Sequence, residues 1–282
     1  MALIRYPGSK DKLVSELSKL FPSEVLHPLW SSAKNWEYRE PFFGAGAVGF
    51  RLLPHISKSC RVWLNDKDED LVMLWRTVKD EPKPLCCHVT MFQPSVENFY
   101  DFKERDGKAD ASDSYRGFRK LALHRMSVSG FGVKSGGPIG GRHQNGSAYT
   151  VECRWNPERI KRDVMRLSKV LRRFESLRIT CGDFAPLMED AGEQCFVYLD
   201  PPYFAKGEQL YRHAMNDADH ARLAAILRQA TCQWVLSYDD HQRIRELYSW
   251  AEFSELLITY TNAVTSSRRP KNKEVAITPK EE

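Results

Sequence analysis

The chain has 282 residues, of which 42% are hydrophobic and 28% are charged. This composition predicts a globular protein of one large or two smaller domains and excludes a disordered chain. No apolar run approaches the ~20 residues of a membrane span, and the first residues lack a signal-peptide pattern. The seven cysteines show no Cys-x-x-Cys spacing, so we expect reduced thiols, a cytoplasmic location and no structural metal.

The net charge of +5 is unevenly distributed along the chain. Residues 103–178 contain 18 Lys/Arg against 8 Asp/Glu, a local charge of +10, whereas the remainder carries −5. A basic segment joined to a mildly acidic body suggests a module that faces a polyanion such as nucleic acid. The alternative is an ordinary solvated helix surface.

A glycine-rich loop near the N-terminus has the pattern of a nucleoside site. A turn at Pro7-Gly8 and a helix with apolar Leu13, Leu17 and Leu20 come first. Gly44-Ala45-Gly46-Ala47-Val48-Gly49 then has the G-x-G-x-x-G spacing, and Asp66 follows a predicted strand at Val62-Trp63-Leu64. Such glycines let the backbone approach a ligand closely, and an acid in this place can hold ribose hydroxyls.

Two features separate this loop from a nicotinamide site. Pro41 interrupts the first strand just before the loop, and no residue pattern suggests hydride transfer. S-adenosylmethionine, a nucleoside without a pyrophosphate, fits as well. Lys67-Asp68-Glu69-Asp70 then predicts a helix start whose acids interact with the helix dipole, and Glu81-Pro82-Lys83-Pro84 predicts a domain boundary.

The basic segment contains two predicted helices, a long loop and a third helix. The first two helices cover 98–108 and 114–126. Ser127 to Tyr149 carries seven glycines with Lys134, Arg142, His143 and Asn145, which suggests a hairpin or mobile loop that reads base edges in DNA, or else a surface insertion. Asn156-Pro157-Glu158 predicts the start of the third helix, on which Arg162 and Arg166 could meet phosphates.

The second half of the chain predicts a series of strands with polar ends. Leu177 to Cys181 is followed by Asp183 and Phe184, which could contact the adenine of a cofactor or simply end the strand. A helix over 218–230 and strands over 233–239, 253–260 and 274–278 complete the series.

The stretch Asp200-Pro201-Pro202-Tyr203 is the most informative in the chain. It ends the buried strand 195–199, because consecutive prolines cannot donate ladder hydrogen bonds. The Asp200 carboxylate and the Pro201 carbonyl can each accept a hydrogen bond, and an exocyclic NH2 group offers two. With a tyrosine to stack on a flat ring, the set suits an amino group on a nucleobase.

In this order, the motifs resemble those of the DNA adenine-N6 methyltransferases, the family that includes the GATC-methylating enzymes. Tyr6 and Lys10 match its opening motif, Glu40 to Gly46 match Glu-Pro-Phe-x-Gly-x-Gly, Asp66 matches its acid and Asp200 to Tyr203 match Asp-Pro-Pro-Tyr. The resemblance implies an α/β fold with a Rossmann-like methyltransferase sheet, mostly parallel with an antiparallel last strand. It implies a catalytic domain of residues 1–80 and 176–282 and an inserted, mainly helical target-recognition domain of residues 81–175.

The resemblance also implies the cofactor, the partner and the site. S-adenosylmethionine would be the cofactor and double-stranded DNA the partner, with no membrane and no obligatory protein partner, the chain being a monomer or weak dimer. A flipped adenine would be held by Asp200 and Pro201 and stacked on Tyr203. Residues expected at the cofactor are Tyr6, Lys10, Glu40, Phe42, Gly44, Gly46, Asp66, Asp183, Phe184 and Asp200; at the reaction centre, Asp200, Pro201, Pro202 and Tyr203; and at DNA, Arg125, Ser129, Lys134, Arg142, His143, Asn145, Arg162 and Arg166.

One departure from the family pattern concerns the target sequence. Relatives carry Asn-Gly in the recognition hairpin, where this chain has Ser129-Gly130, so the DNA sequence that it recognises is not predicted. Three alternatives stay open: methylation of cytosine N4 or of RNA by the same Asp-Pro-Pro-Tyr chemistry, a nicotinamide dehydrogenase, and a DNA-binding module without activity.

Overall fold

The protein is built on a seven-stranded sheet. The computed structural model describes residues 3–4, 10, 13–26, 35–109, 112–205, 207–256 and 274–280. The strands are β1 (Glu37–Glu40), β2 (Arg61–Asp66), β3 (Leu177–Cys181), β4 (Cys195–Leu199), β5 (Gln233–Asp239), β6 (Glu252–Leu256) and β7 (Glu274–Thr278).

The strand order is β3-β2-β1-β4-β5-β7-β6. The first five strands pair in parallel, and β7 runs antiparallel to both of its neighbours, β5 and β6. This confirms the predicted α/β sheet with an antiparallel last strand. The chain progresses outward from β1 through β2 to β3 and then returns to the other side of β1 with β4. Ligands of such sheets bind at the carboxyl ends of the strands at this switch point.

Twelve helices are present in the described residues. They are α1 (Val14–Leu17), α2 (Ser23–Leu26), α3 (Gly49–Leu52), α4 (Glu69–Asp80), α5 (Pro82–Met91), α6 (Val96–Glu104), α7 (Asp113–Met126), α8 (Pro157–Leu171), α9 (Pro186–Glu189), α10 (Gly207–Leu210), α11 (Asp217–Gln229) and α12 (Gln242–Leu247). The helices predicted over 114–126 and 218–230 and after Asn156 are confirmed within a residue or two. None of the described helices is long and apolar enough to cross a membrane.

The domain boundary at 81–84 stays a prediction. Helix α4 ends there at Asp80 and α5 begins at Pro82, since proline is tolerated in the first turn of a helix, whose N–H groups have no partner within the helix. Helix α6 begins and ends earlier than predicted, since the Ser95 side chain caps it by accepting from Asn98 N. Strand β6 is described to Leu256; the rest of the strand predicted to Tyr260, and the connection after it, lie outside the described residues.

The helices of residues 81–175 share the core of the sheet. Buried apolar side chains of α5, α7 and α8, such as Leu85, Leu121 and Val164, belong to one cluster with Val62 and Leu64 of β2. Helix α4 lies between β2 and β3 on one side and α7 and α8 on the other. The basic segment is therefore packed against α4, which in turn lies on the sheet.

A buried ion network joins α4 to α7. The Lys120 ammonium lies 2.6 Å from Asp68 and 3.1 Å from Asp106, and all three side chains are at most 4% exposed. Burial by itself would raise the pKa of Asp68, but the charge and hydrogen bond of Lys120 outweigh it and lower the pKa to about 2. Asp68 also caps α4 by accepting from Leu71 N at 3.1 Å. Its expected role at the helix start is thus only part of what it does.

A further acid that joins α4 to α7 is Asp70, which is fully buried. It accepts from Arg116 and Arg119 of α7, and its Oδ2 also accepts from Gly107 N at 2.7 Å. Three of the 18 cations counted in the basic segment are therefore internal and paired with acids of α4. The positive charge that this segment shows to solvent is smaller than the sequence suggests.

We predict that Lys120→Met lowers the free energy of unfolding by about 3 kcal/mol or more, because Asp68 is left buried without its bonded cation. The matched control is Lys79→Met on the exposed side of α4, where Lys79 pairs with Asp80 at 2.7 Å. That surface pair is worth at most about 1 kcal/mol. Urea denaturation measures both, and equal losses would contradict the stabilising role of the network.

Candidate functional site

An open cleft of about 950 Å³ lies along the carboxyl ends of β1, β2 and β4. It is formed by the glycine-rich loop after β1, the ends of β2 and β4, the turn after β3 and the segment 211–215. Seven of the predicted cofactor residues line the cleft: Glu40, Phe42, Gly44, Asp66, Asp183, Phe184 and Asp200.

Asp66 ends β2 at the wall of the cleft. Its Oδ2 accepts from Gly44 N at 2.7 Å, and its Oδ1 accepts from Asp68 N at 2.9 Å. Gly44 has a φ of +51°, a conformation that favours glycine, and this turns its N–H toward the carboxylate. Burial is the main cause that raises the pKa of Asp66, to about 6. The carboxylate is thus held by two backbone donors and keeps lone pairs for a ligand.

Glu40 and Gly46, the two ends of the Glu-Pro-Phe-x-Gly-x-Gly motif, have different surroundings. The Glu40 carboxylate is buried, accepts from the Tyr38 hydroxyl at 2.8 Å, and has its pKa raised well above the usual value chiefly by burial. Gly46, expected beside the cofactor, does not line the cleft. Its φ is +67°, and a Cβ there would lie 2.4 Å from the Phe50 ring and 2.7 Å from that of Phe43. The close packing of those rings explains the glycine.

An aromatic surface closes one end of the cleft. The Phe184 and Phe42 rings lie 5.4 Å apart, and the Arg222 guanidinium stacks on Phe184 at 4.4 Å. Arg222 also donates two hydrogen bonds to Asp183, at 2.9 and 2.6 Å, and lowers the pKa of this carboxyl. Arg222 was not predicted; it fixes the orientation of Asp183.

Asp200 stands at the end of β4 and is held through one oxygen. Its Oδ1 lies 2.9 Å from the Lys10 ammonium and accepts from the Ser237 hydroxyl, also at 2.9 Å. Its Oδ2 has no bonded partner among the residues that the structure describes. Since the side chain is 24% exposed, this second oxygen is available to a ligand in the cleft.

Lys10 is the centre of a cluster that joins three distant parts of the chain. It is 1% exposed and lies 3.3 Å from Glu274 of β7 and 3.1 Å from the Tyr203 hydroxyl, which donates to Glu274 at 2.9 Å. Burial would lower the pKa of Lys10, but the nearby charges of Asp200 and Glu274 outweigh it and raise the pKa. The ammonium is thus held in its charged form.

Other residues at this end were not identified from the sequence. Asp239 accepts from Phe204 N at 3.0 Å and from Ala205 N at 3.3 Å, which fixes the chain after Tyr203. The segment 211–215 lines the cleft as well. Ser237 and Asp239 could have been found from the polar end of their strand; Glu274 had no signal beyond beginning the last strand.

The three predicted residues that follow Asp200 lie at or next to the cleft. Tyr6 is outside the described residues. Pro201 is buried, Pro202 lines the cleft, and Tyr203 borders it with its ring 6.2 Å from that of Tyr211. No cluster of His, Cys, Asp or Glu in the described part of the chain is arranged to hold a metal ion.

Arg125, expected at DNA, is engaged within the protein. Its guanidinium donates to the carbonyl of Leu3 at 2.8 Å and to that of Arg154 at 3.1 Å. These bonds tie the end of α7 to the N-terminal segment and to the start of α8. The structure therefore gives Arg125 a role in holding these segments together, which the density of positive charge in the sequence could not reveal.

The other DNA candidates lie on the surface. Ser129, with φ of +57°, and His143 and Asn145 are exposed in the loop of residues 127–149. In the same loop, Lys134 donates to the carbonyl of Glu208 at 3.0 Å, and Arg142 lies over the Tyr100 ring at 5.6 Å. Because residue 208 precedes the segment that lines the cleft, the loop approaches the cleft edge of the sheet.

Helix α8 begins near this loop and ends at the opposite edge. The side chain of Arg154, just before the helix, donates to the Ser127 carbonyl at 3.1 Å. After the helix, Val62 N donates to the Ser176 carbonyl at 2.9 Å at the start of β2. Arg162 and Arg166 are both exposed along α8, so Arg162 is the nearer of the two to the loop.

Comparison with known proteins identifies related sequences over nearly the whole chain. A model of the family described as D12 class N6 adenine-specific DNA methyltransferase matches residues 6–263. The chain is 27% identical to the type II methyltransferase M1.LlaDCHI of Lactococcus lactis, over 97% of this chain and 93% of that protein. It is 25% identical to the type II methyltransferase M.MjaIII of Methanocaldococcus jannaschii, over 80% and 78%. It is 24% identical to a DNA adenine methylase of Haemophilus influenzae, over 96% and 91%.

We predict that the affinity for S-adenosylmethionine falls about tenfold between pH 7 and pH 5. With a pKa of about 6, Asp66 is mostly ionised at pH 7 and mostly protonated at pH 5, and protonation would turn one of the acceptors expected for the ribose hydroxyls into a donor. Calorimetry measures the dissociation constant at each pH. Asp66→Asn should bind more weakly at pH 7 but with little change to pH 5, and a variant as pH-dependent as the wild type would assign the titration to another group.

Proposed function

The chain belongs to the D12 class of N6 adenine-specific DNA methyltransferases, and we propose that it methylates adenine N6 within a specific sequence of double-stranded DNA. S-adenosylmethionine is the methyl donor of this enzyme. The observation that carries the proposal is the state of Asp200, which lines the cleft. Its Oδ1 is held by Lys10 and Ser237, whereas no residue in the described part of the chain hydrogen-bonds to Oδ2. Family membership argues against the nicotinamide dehydrogenase.

The cleft has a suitable group for each part of the cofactor. Asp66 would accept from the ribose hydroxyls, and Asp183 would accept from the adenine amino group while Phe184 packs on the ring. When bound, S-adenosylmethionine would supply the electrophilic methyl group. Arg222 occupies three of the lone-pair positions of Asp183 together with Ala185 N, which leaves one for the amino group.

At the reaction centre, the chain orients the amine rather than activating it covalently. An adenine inside a duplex is out of reach, so the base would be turned out of the helix. Oδ2 of Asp200 and the carbonyl of Pro201 would accept its two N6 hydrogens, with Tyr203 against the ring. These acceptors would draw the nitrogen lone pair out of conjugation and direct it at the methyl group. In the in-line displacement the N6–CH3 bond would form as the S–CH3 bond breaks, S-adenosylhomocysteine would leave, and one N6 proton would be lost.

Residues 81–175 would supply the contacts with DNA. The loop 127–149 carries exposed, chemically varied donors near the cleft edge, which suits base edges. Helix α8 carries regular positive charge, which suits phosphates. The similarity to enzymes named type II methyltransferases supports a role in restriction–modification. The cytoplasmic location and the monomeric or weakly dimeric state stay predictions from the sequence.

We predict that Asp200→Ala lowers the single-turnover rate of methyl transfer ~10²-fold or more, because the amine loses one of its two orienting acceptors. The assay measures labelled methyl groups in unmethylated genomic DNA at saturating cofactor, with enzyme in excess. Asp80→Ala, which removes an exposed carboxylate at the end of α4, is the matched control and should be unaffected. Turnover near that of the control in the Asp200 variant would exclude the mechanism.

A second prediction separates base reading from phosphate binding. Arg142→Ala should cost ~1–3 kcal/mol of binding on the cognate duplex alone. Arg162→Ala should weaken binding to every duplex alike and reduce the salt slope by roughly one unit. Binding to cognate and scrambled duplexes over a salt series measures both, after the cognate sequence is found by sequencing the methylated DNA. Equal losses of the Arg142 variant on both duplexes would show that Arg142 does not read the sequence.

A further inference from the structure

The side chain that fixes Asp200 from the neighbouring strand is Ser237. Tyr198 and Asp200 are two residues apart on the chain that forms β4 and continues beyond it, so they project to the same face. Tyr198 pairs with Val235 of β5 in parallel register, and Ser237 therefore lies on that face one step further along. The Ser237 hydroxyl lies 2.9 Å from Asp200 Oδ1 and 2.9 Å from the Tyr198 hydroxyl.

The direction of both hydrogen bonds follows from their partners. A carboxylate only accepts, so the single hydrogen of Ser237 is donated to Asp200. The alternative acceptor, the Leu199 carbonyl, is 3.4 Å away and uncharged, and the shorter, charge-assisted bond is the stronger. Ser237 can then only accept from Tyr198, whose hydroxyl donates. The result is a directed chain from Tyr198 through Ser237 to Asp200.

This chain is rigid because both of its donors are buried. Tyr198 and Ser237 are 0% exposed and lie on adjacent central strands, whereas the other partner of Oδ1, Lys10, reaches the site on a long side chain. Two donors on Oδ1 leave the other oxygen turned to the cleft. An Asp200 held by Lys10 alone could rotate about its last bond and exchange the two oxygens.

We propose that Ser237 is a positioning residue for methyl transfer: oriented by Tyr198, it holds Oδ1 of Asp200 so that Oδ2 is presented to the adenine amino group. The inference rests on the proposed function of Asp200. It assigns Ser237 a role in the rate of methyl transfer and none in the binding of cofactor or DNA.

The test uses three variants of the full chain, Ser237→Ala, Tyr198→Phe and the double variant. Ser237→Ala should lower the single-turnover rate at saturating cofactor and DNA about tenfold, since one charge-assisted hydrogen bond to Asp200 is lost while Lys10 remains. The dissociation constants for S-adenosylmethionine and DNA should stay within about twofold of the wild type. Tyr198→Phe should slow the reaction less, because Ser237 keeps its hydrogen for Asp200.

The double variant separates positioning from stability. Ser237→Ala leaves the Tyr198 hydroxyl buried without an acceptor, which should lower the urea midpoint of unfolding. The double variant also removes that hydroxyl, so its midpoint should return toward that of the wild type. The rate should nevertheless stay as low as in Ser237→Ala. Recovery of the wild-type rate together with the midpoint would overturn the proposal, as would a rate loss explained wholly by weaker binding of cofactor or DNA.

Two controls keep this inference apart from the proposed function. Ser57→Ala removes another buried serine, 5% exposed and just before β2 at the opposite edge of the sheet, and should methylate at the wild-type rate. Analysis of hydrolysed DNA identifies the product: if the wild type forms no N6-methyladenine, the proposed function fails. If it does and the Ser237 variants are as fast, only the role of Ser237 fails.

Discussion

The ion pair between Lys10 and Asp200 is the interaction on which the site depends. A buried ammonium is stable only if it is paired and hydrogen-bonded, and Lys10 is 1% exposed. Its partners come from the end of β4 and from β7, so that the N-terminal segment, the central strand and the antiparallel strand must meet at one point. The same contacts fix the Tyr203 ring and one oxygen of Asp200. A single requirement for charge neutrality therefore builds the surface on which the proposed mechanism would place the adenine amine.

Asp66 at the end of β2 and Asp68 at the N-cap of α4 show how the surroundings of an acid set its pKa and its role. Asp66 and Asp68 are two residues apart, yet burial raises the pKa of one to about 6 and Lys120 lowers that of the other to about 2. Within the described residues, Asp66 accepts from two backbone N–H groups and keeps acceptor capacity for a ligand. Asp68 is committed to α7. The wall of the cleft is thus tied to the segment proposed to hold DNA.

The sequence predicted the elements whose signals are local. Asp200-Pro201-Pro202 ends a strand by the chemistry of proline, Gly44 permits a turn that few other residues allow, and Asn156 caps a helix. The partners of Glu274 and Ser237 could not be predicted in this way, because their contacts arise when β7 enters the sheet beside β5 and β5 pairs with β4. The pairing of α7 cations with α4 acids is also a tertiary effect, so charge counted along the chain overstated the charge at the surface.

The internal use of cations bears on how the protein would meet DNA. With Arg116, Arg119 and Lys120 paired inside and Arg125 bonded to backbone carbonyls, four cations of the segment are withdrawn from its surface. Exposed cations remain in the loop 127–149 and on α8, among them Arg142 and Arg162. Helix α8 runs from the loop toward the edge of the sheet opposite the cleft, so its residues move away from the reaction centre with each turn. A duplex whose adenine reaches Asp200 would therefore meet the loop and the first turns of α8 before the last ones. Positive charge at the start of α8 should therefore contribute more to the affinity for DNA than equal positive charge at its end.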